Sequence, residues 1–576
     1  MAMNPVVRAQ LNDFKKANPH ESGDDSVFFE VMTIFAVENG ILGENIDPFR
    51  AHLKGDEFGI DGIAISVQGT LCVDADEAAD ALSVGKNHTT SFHMYQSKTS
   101  DSLDYGQVSK FLDAVYDFFT DLKLLKGDQI DDLVGARDQV FAAASRSNPD
   151  LRCYFCTTGS GEISDAISTL IQSNKSRLRA LNIFGGIDIL CLGAKDIQEA
   201  FRAATNSFSS KIFFPKNITL PEHENIEEAY IGYVTADQIL EMASGEPDGL
   251  GVRHINRALF YDNVRDFNPE SEINKSIISE LEEGDLSSFV FKNNGITVVA
   301  KSISRKGDNF TIEDYQIVNG CQTTNILSKA AKNANQISVP LRLIGSSDPD
   351  FVSKIIIGTN KQNEVREDQF WALLPFMKNL EIYCAGQDGD ERILIERRDN
   401  QYRDVATERT RITKPSDLMK VAAAMFFFQP NRAARDHRGI RKEFSSKIFR
   451  PDHSVELYHM AALALYKFDY LVRTSRVPRS YAINKFYVLY ALLRQFWYTP
   501  NILEAAPKHR SNVHRSVMAV ILDNDEYASN IESVSKHIES LIASSSAKTR
   551  EQVRDYIRTE TFSESFTQSY FTKPSV

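Results

Sequence analysis

Three residues in the N-terminal part of the chain have the types and spacing that metal-assisted phosphodiester hydrolysis requires. Asp61 lies near the start of a β-branched segment, residues 59–67, and Gln96 and Lys98 stand two positions apart at the end of a second alternating segment. Such hydrolysis needs oxygen ligands for a divalent metal and a cation that offsets charge in the transition state. A spacing of two puts both side chains on one face of a strand. The pattern therefore predicts a site at which Asp61, Gln96 and Lys98 converge.

The elements that must position these residues follow from hydrophobic patterning. Asp25 or Ser26 can cap a helix that ends at Gly40. A hairpin, a strand and a further helix come next, with predicted bounds 59–67 paired with 71–73, 91–98, and 105–124. Two more strands, at 151–157 and 187–192, complete a compact α/β domain over residues 1–205.

The order of a helical glutamate, then Gly-Ile-Asp-Gly, then Gln-x-Lys resembles the Mrr-like branch of the PD-(D/E)XK nucleases. The resemblance implies a restriction-endonuclease-like fold that cleaves DNA with Mg²⁺ or Mn²⁺. It also implies that Asp61, Gln96 and Glu30 hold the metal and that Lys98 orients or activates the attacking water. Gln96 departs from the commonest pattern, because it offers a neutral carbonyl oxygen where a carboxylate is usual, so metal binding would depend more on Asp61 and Glu30.

Other interpretations of these residues stay open. Gln96 and Lys98 also fit a solvated strand, and the fold could be retained for nucleic-acid binding without catalysis. Glu30, which lies among apolar neighbours, could pair with a core arginine. RNA is not excluded as a substrate.

A second group of motifs, rich in amides and glycines, lies in the middle of the chain at residues 291–300, 315–324 and 358–362. Together with residues 259–265 and 274–275, these motifs resemble the abortive-infection phage-resistance (AIPR) family over residues 225–450, which implies an antiphage role. Uncharged amides suit the recognition of a base, a nucleotide or a peptide backbone, glycines permit close approach, and the cations could meet phosphate. The alternative is that the amides satisfy buried turns. The candidate ligand-binding residues are Asn293, Asn294, Gly295, Asn319, Gly320, Gln322, Thr323, Asn360, Gln362, Arg265 and Lys275.

The predicted fold class is α/β and multidomain, since 576 residues are too many for one core. Residues 1–205 form the restriction-endonuclease-like domain, and the Asn-, Ser- and Pro-containing segment 206–225 reads as a linker. A central α/β AIPR domain is expected over 226–414, and a mainly helical C-terminal part over 415–576.

Composition limits the partners and the compartment. No signal peptide and no membrane-spanning run is recognisable, so we expect a cytoplasmic protein without a membrane partner. A net charge of −13 argues against a surface that binds nucleic acid everywhere. Residues 392–450 carry fifteen Lys or Arg against seven Asp or Glu, a balance of +8, and this segment is either a nucleic-acid surface or an ion-paired face. Cys153 and Cys156 form the one CxxC pair, and buried strand thiols are a better interpretation than a zinc site.

The expected partners follow from the nuclease interpretation. The substrate is DNA, with a phage-derived or nucleotide trigger acting through the AIPR domain. A homo-oligomer, with a dimer favoured, is expected because cutting both strands needs two sites. Nucleotide binding by the AIPR domain, as a switch, is the third hypothesis beside the enzyme and the binding module.

Overall fold

The structure is a computed structural model that describes residues 3–571 apart from short gaps. The residues outside the described part are 1–2, 22, 55–57, 84–87, 145–146, 206–207, 245–254, 257–258, 261–271, 283–285, 330, 360–370, 372–373, 399–400, 403–407, 435–436 and 572–576. The described residues form two mixed sheets in the N-terminal half and a helical C-terminal region, which confirms the predicted α/β multidomain class.

The N-terminal region is a three-layer α/β/α domain around a five-stranded sheet with strand order β2-β1-β3-β4-β5. Its strands are β1 Gly62–Val67, β2 Thr70–Cys72, β3 Thr90–Lys98, β4 Asp150–Thr157 and β5 Ile187–Leu192. Its helices are α1 Pro5–Ala17, α2 Asp25–Phe35, α3 Pro48–Ala51, α4 Ala75–Leu82, α5 Tyr105–Phe118, α6 Asp128–Ala143, α7 Asp165–Arg179 and α8 Ala194–Thr205. Each predicted strand and helix of this region is present, with ends shifted by a few residues.

The two faces of this sheet are buried under different helices because strand side chains alternate. Phe92 and Met94 of β3 belong to a core shared with α4, α5, α6 and α7. Tyr95 belongs to a second core, on the other face, shared with α1, α2 and α8. The central strand β3 therefore contributes side chains to both layers, and its two faces can carry two separate sites.

Helix α2 does not end at Gly40 as predicted, because it continues as a π-helix, Ala36–Leu42. Asp24, rather than Asp25 or Ser26, caps its start by accepting from the backbone N–H groups of Ser26 and Val27. A side chain at Gly40 would place its Cβ 2.0 Å from the carbonyl oxygen of Ala200 on α8. Glycine is needed here for the close approach of two helical backbones and not as a helix stop.

The central region contains a six-stranded sheet with strand order β6-β10-β9-β11-β8-β7. Its strands are β6 Ser209–Phe213, β7 Lys216–Thr219, β8 Glu228–Thr235, β9 Ile296–Lys306, β10 Asn309–Asn319 and β11 Ser338–Gly345. The helices near it are α9 Ala236–Ala243, α10 Glu272–Glu282, α11 Phe289–Lys292, α12 Cys321–Lys329 and α13 Pro349–Thr359.

The segment 206–225, which the sequence predicts to be a linker, supplies both edge strands of this sheet, β6 and β7. Edge strands tolerate proline and polar residues because one of their sides makes no ladder hydrogen bonds, so their composition resembles that of a linker. Only Phe214 and Pro215 separate the two edges in sequence. The sheet must therefore curl until its edges approach each other, as in a partly closed barrel.

The helical region forms the largest buried core, and this core begins at Trp371, earlier than the predicted boundary at residue 415. A short parallel pair, β12 Leu394–Ile395 and β13 Ile412–Thr413, lies beside it. Its helices are α14 Pro375–Ala385, α15 Pro415–Met425, α16 Pro430–Ala433, α17 His437–Phe444, α18 Val455–Arg473, α19 Lys485–Arg494, α20 Pro507–Leu522, α21 Asn524–Ala543, α22 Arg550–Ile557 and α23 Glu560–Phe571. Among the described residues, no helix is both long enough and apolar enough to cross a membrane.

Gly40→Ala should lower the melting temperature of the protein, because the new methyl group must displace the α8 backbone at Ala200. We expect a loss on the order of 1–3 kcal/mol, as for other overpacked positions. Thermal unfolding followed by circular dichroism measures it. The control is Gly358→Ala on α13, where a Cβ meets nothing within 4 Å, so stability should be unchanged or slightly higher. Equal melting temperatures for both variants would contradict the close approach.

Candidate functional site

The pairing of β1 with β3 brings the predicted site residues together. Gly62 is opposite Tyr95, and the N–H of Asp61 donates to the carbonyl oxygen of Tyr95 over 2.8 Å. Asp61 therefore stands beside the end of β3, where Gln96 and Lys98 follow Tyr95. The spacing argument from the sequence placed these three residues together, and the strand register is the physical reason that they meet.

The Asp61 carboxylate is held by two donors from β3. Its Oδ2 accepts from the Gln96 side-chain amide over 2.6 Å and from the Ser97 backbone N–H over 2.7 Å. Gln96 is buried and turns its NH₂ group towards Asp61. Coordination of a metal by Gln96 would need the amide to rotate so that its oxygen faces the same place.

Glu30 on α2 lies at the same end of the sheet, where its partner is a histidine and not the core arginine left open by the sequence. The Glu30 carboxylate and His52 Nε2 are 2.9 Å apart, and the Ser26 hydroxyl donates to the other Glu30 oxygen over 3.4 Å. His52 is buried and forms a β-bridge with Gly62. Sequence reasoning missed His52, because no motif spacing connects it to the other site residues.

The charges at this site act on one another. Burial, followed by the neighbouring Glu30 carboxylate, raises the pKa of Asp61 to about 6, although Lys98, the Ser97 N–H and His52 act to lower it. Glu30, Lys98 and His52 are thus all close enough to Asp61 to influence its ionisation. A buried carboxylate with a second carboxylate beside it is a fitting donor set for Mg²⁺ or Mn²⁺, which prefer oxygen ligands.

The two CxxC cysteines do not share a site. Cys153 belongs to the core on the α5 face of the sheet and Cys156 to the core on the α2 face. Both thiols are fully buried, and burial raises their pKa values far above the usual range. This placement agrees with the interpretation of buried strand thiols.

The amide-rich motifs of the central region meet where β9 begins and β10 ends. The Asn293 amide donates to the Thr323 hydroxyl over 3.1 Å, and the same asparagine accepts from the N–H of Gly295 over 2.8 Å. Gly295 and Gly320 have φ values of +80° and +115°, and a Cβ at either would collide with Pro340 or Ile296. These contacts are the ones that the turn interpretation predicts for Asn293, Thr323 and the two glycines.

The remaining candidates of this group differ in exposure. Asn294 and Gln322 are exposed and Asn319 is half-buried. Lys275 lies on α10, and its side chain is outside the described part of the structure, as are Arg265, Asn360 and Gln362.

The helical region docks onto the N-terminal domain through buried ion pairs. Arg473 at the end of α18 binds the Glu21 carboxylate, with 2.5 Å between the closest atoms and both side chains less than a tenth exposed. Lys54, two residues after His52, donates to the backbone oxygen of Arg473. The interface therefore reaches the segment that holds His52 against Glu30. Further cross-contacts are Asp80 with Lys420, Asp132 with Arg550, Asp76 with Arg558, and His20 with Glu408.

The basic segment 392–450 is largely ion-paired within the protein. Arg397 binds Glu381 and Asp350, and Arg411 binds Glu408 while nearly fully buried. These guanidinium groups form ion pairs with carboxylates inside the protein. The described part of the segment therefore supports the ion-paired interpretation rather than a nucleic-acid surface.

The comparisons concern the central and C-terminal regions only. A family model described as AIPR protein matches residues 260–560, slightly more than half of the chain. The match contains β9, β10, β11 and most of the helical region, and it begins and ends later than the residues 225–450 over which the sequence motifs suggested it. No curated protein and no solved structure matches the chain.

The raised pKa of Asp61 predicts how stability depends on pH when metal is chelated. Between about pH 4 and pH 6 the native state keeps a proton that the unfolded state has released, so this group's stabilising contribution is lost as pH rises through about 6. Asp61→Asn cannot ionise and should stabilise the chelated protein at about pH 7.5 by at most about 3 kcal/mol. The gain should shrink towards pH 5.

Melting temperatures in EDTA across this pH range test the prediction. Asp101→Asn, at an exposed position nearby, is the control and should show no pH-dependent gain. A gain for Asp61→Asn that is the same at both ends of the range would contradict the assignment.

Proposed function

The chain belongs to the AIPR family, which connects it with abortive-infection defence against phage, and from that premise we propose that it is a metal-dependent nuclease. Its proposed active site consists of Asp61, Gln96, Lys98 and Glu30 in the N-terminal domain. The proposed substrate is DNA, and the proposed cofactor is Mg²⁺ or Mn²⁺.

The observation that carries this proposal is the cluster around the Asp61 carboxylate. Two hydrogen bonds from β3 orient this carboxylate, and a second carboxylate, Glu30, is close enough to raise its proton affinity. Lys98, at the same place, lowers the pKa of Asp61. A cluster of acids and a cation at the ends of adjacent strands has the composition that phosphodiester hydrolysis requires.

Each residue has a distinct proposed role. Asp61 and Glu30 would hold the divalent cation, and Gln96 would supply a neutral oxygen after its amide rotates. Lys98 would orient the attacking water and offset the negative charge that develops on the phosphate. When bound, the metal would polarise the phosphate and lower the pKa of a water. His52 is a positioning residue, because it contacts Glu30 and bridges to β1.

Asp61→Asn and Lys98→Ala should each reduce cleavage of plasmid or phage DNA by about 10²- to 10⁴-fold in Mg²⁺ or Mn²⁺, since each removes a group that acts on the reacting phosphate. EDTA should abolish cleavage by the wild type. The measurement is the initial rate of loss of supercoiled plasmid, with RNA as a parallel substrate. Lys126→Ala, at an exposed lysine of the same domain, should cleave like the wild type.

A wild-type protein that cuts neither DNA nor RNA, even with phage lysate present, would overturn the nuclease proposal. If it still binds DNA, the N-terminal domain acts as a binding module and the AIPR region recruits a partner. Cleavage that survives Asp61→Asn would place the activity elsewhere in the chain.

We further propose that the AIPR region restrains the nuclease site. The docking through Arg473 supports this proposal, because the same interface contacts Lys54 and Glu21, which flank His52 and α2 in sequence. A change in how α18 docks would move the segments that hold Glu30 in place. Restraint is needed because an ungated nuclease would also cut the host genome.

The paired variant Glu21→Gln with Arg473→Met should raise cleavage in the absence of phage several-fold, since it loosens the docking without leaving one buried charge alone. Arg473→Met by itself should cost about 3–5 kcal/mol of stability, because it strands Glu21. Cleavage rates and melting temperatures separate the two effects. Unchanged cleavage by the folded paired variant would contradict restraint through this interface.

A further inference from the structure

A buried cluster of two carboxylates and a histidine lies on the face of the N-terminal sheet opposite the Gln96 and Lys98 side chains. Glu38 belongs to the π-helix that continues α2. Gly43, with φ +71°, ends that helix, and the N–H of Glu44 then donates to the backbone oxygen of Glu38 over 2.7 Å. The turn thus folds Glu44 back towards Glu38.

Strand β3 contributes the third member of the cluster. His93 and Tyr95 are two residues apart and therefore share a face, which is the face covered by α2 and the π-helix. One oxygen of Glu38 lies 2.9 Å from His93 Nδ1 and accepts from the Tyr95 hydroxyl over 2.6 Å. Tyr95 in turn stacks on Tyr154 at 5.4 Å between ring centroids.

These contacts leave several polar atoms of the cluster without a partner among the described residues. The second oxygen of Glu38, one oxygen of Glu44 and Nε2 of His93 are buried and accept or donate no hydrogen bond. Glu38 and His93 are 0% exposed and Glu44 is 7% exposed. Buried carboxylates are costly unless a cation or a set of donors compensates them. Arg152 on β4 interacts electrostatically with Glu44, but it also interacts with Asp150 and Asp188.

The ligand atoms of the cluster lie close together, as a metal site requires. Glu38, Glu44 and His93 each offer one ligand atom within 4.8 Å of the other two. Neighbouring ligands on a metal with bonds of about 2.1 Å are roughly 3 Å apart. The 2.9 Å between Glu38 and His93 Nδ1 fits such a pair as well as it fits a hydrogen bond.

We propose that Glu38, Glu44 and His93 bind a first-row transition-metal dication such as Zn²⁺ or Mn²⁺. An imidazole beside two carboxylates favours these ions over Mg²⁺, which prefers an all-oxygen environment. The Tyr95 hydroxyl orients Glu38 from outside the ligand set. Complete burial gives the ion a structural role, in which it holds the π-helix and the turn after it onto β3.

This metal is separate from the one proposed for nuclease activity. Along β3 the side chains of His93 and Tyr95 point to one face, and those of Gln96 and Lys98 point to the other. The proposal therefore stands independently of the nuclease function, and its test uses metal content and stability as readouts.

The test is the metal content of full-length protein purified without chelators from cells supplied with Zn²⁺ and Mn²⁺. We expect about one bound transition-metal ion per chain after extensive dialysis, measured by plasma mass spectrometry. Asp61→Asn, in the other site, should retain it. His93→Gln and Glu38→Gln should lose it and melt at lower temperature. Tyr95→Phe, which leaves all three ligands in place, should bind at least about tenfold more weakly.

Binding by stripped Asp61→Asn protein, in which the nuclease site is disabled, covers the case in which a ligand variant fails to fold. Added Zn²⁺ or Mn²⁺ should raise its melting temperature, Mg²⁺ at the same concentration should not, and Co²⁺ should produce a d–d absorption spectrum typical of nitrogen and oxygen ligands. The proposal is overturned if the purified wild type holds no metal and the stripped protein shows neither response.

Discussion

The antiparallel pairing of β1 with β3 sets the geometry on both faces of the N-terminal sheet. The Asp61 N–H bonds to Tyr95, which brings Asp61 beside Gln96 and Ser97 at one end of the pair. The same register directs Tyr95 and His93 towards the π-helix. A slip of one residue would exchange the faces and move every one of these side chains to the wrong layer. The candidate nuclease site and the proposed structural metal site therefore depend on one ladder of backbone hydrogen bonds.

Both sites concentrate charge where water is largely excluded. Around Asp61 the carboxylates are balanced in part by Lys98 and by donors from β3, and the raised pKa of Asp61 shows that the balance is incomplete. Around the Glu38 carboxylate the hydrogen-bonding partners among the described residues are His93 and Tyr95. Incompletely balanced carboxylates destabilise a fold by themselves. Their presence at two places in one domain is readily explained if cations complete both sites.

The AIPR region is attached to the N-terminal domain by contacts that lie close to the candidate site in sequence. Arg473 and Glu21 form an ion pair that is almost completely buried, and Lys54 contacts the same helix end. Loss of one partner would leave the other charge buried and unpaired, which destabilises the fold. The match to the AIPR family begins only at residue 260, after the N-terminal domain, yet the folded chain connects the two through this interface.

The sequence by itself determined the fold class, the five strands and several helices of the N-terminal domain, and the shared face of Gln96 and Lys98, whereas Asp61 joins them through the β1–β3 register. Periodicity and a spacing of two within one strand are local properties, so they can be read from the residues of a single segment. The central motifs were also recognisable, because glycines with positive φ and turn asparagines leave a local signature.

Only the tertiary structure decided which distant residues become partners. His52 contacts Glu30 because of a bridge to β1. Glu44 and His93 lie beside Glu38 because the π-helix packs on β3, and no local sequence pattern predicts either arrangement. Edge strands β6 and β7 resemble a linker in composition and become strands only because β10 and β8 are there to pair with them. The physical reason is the same in each case. The alternation of apolar and polar residues is a local property of a segment, whereas the contacts that pair charges and close a sheet depend on how separate elements pack.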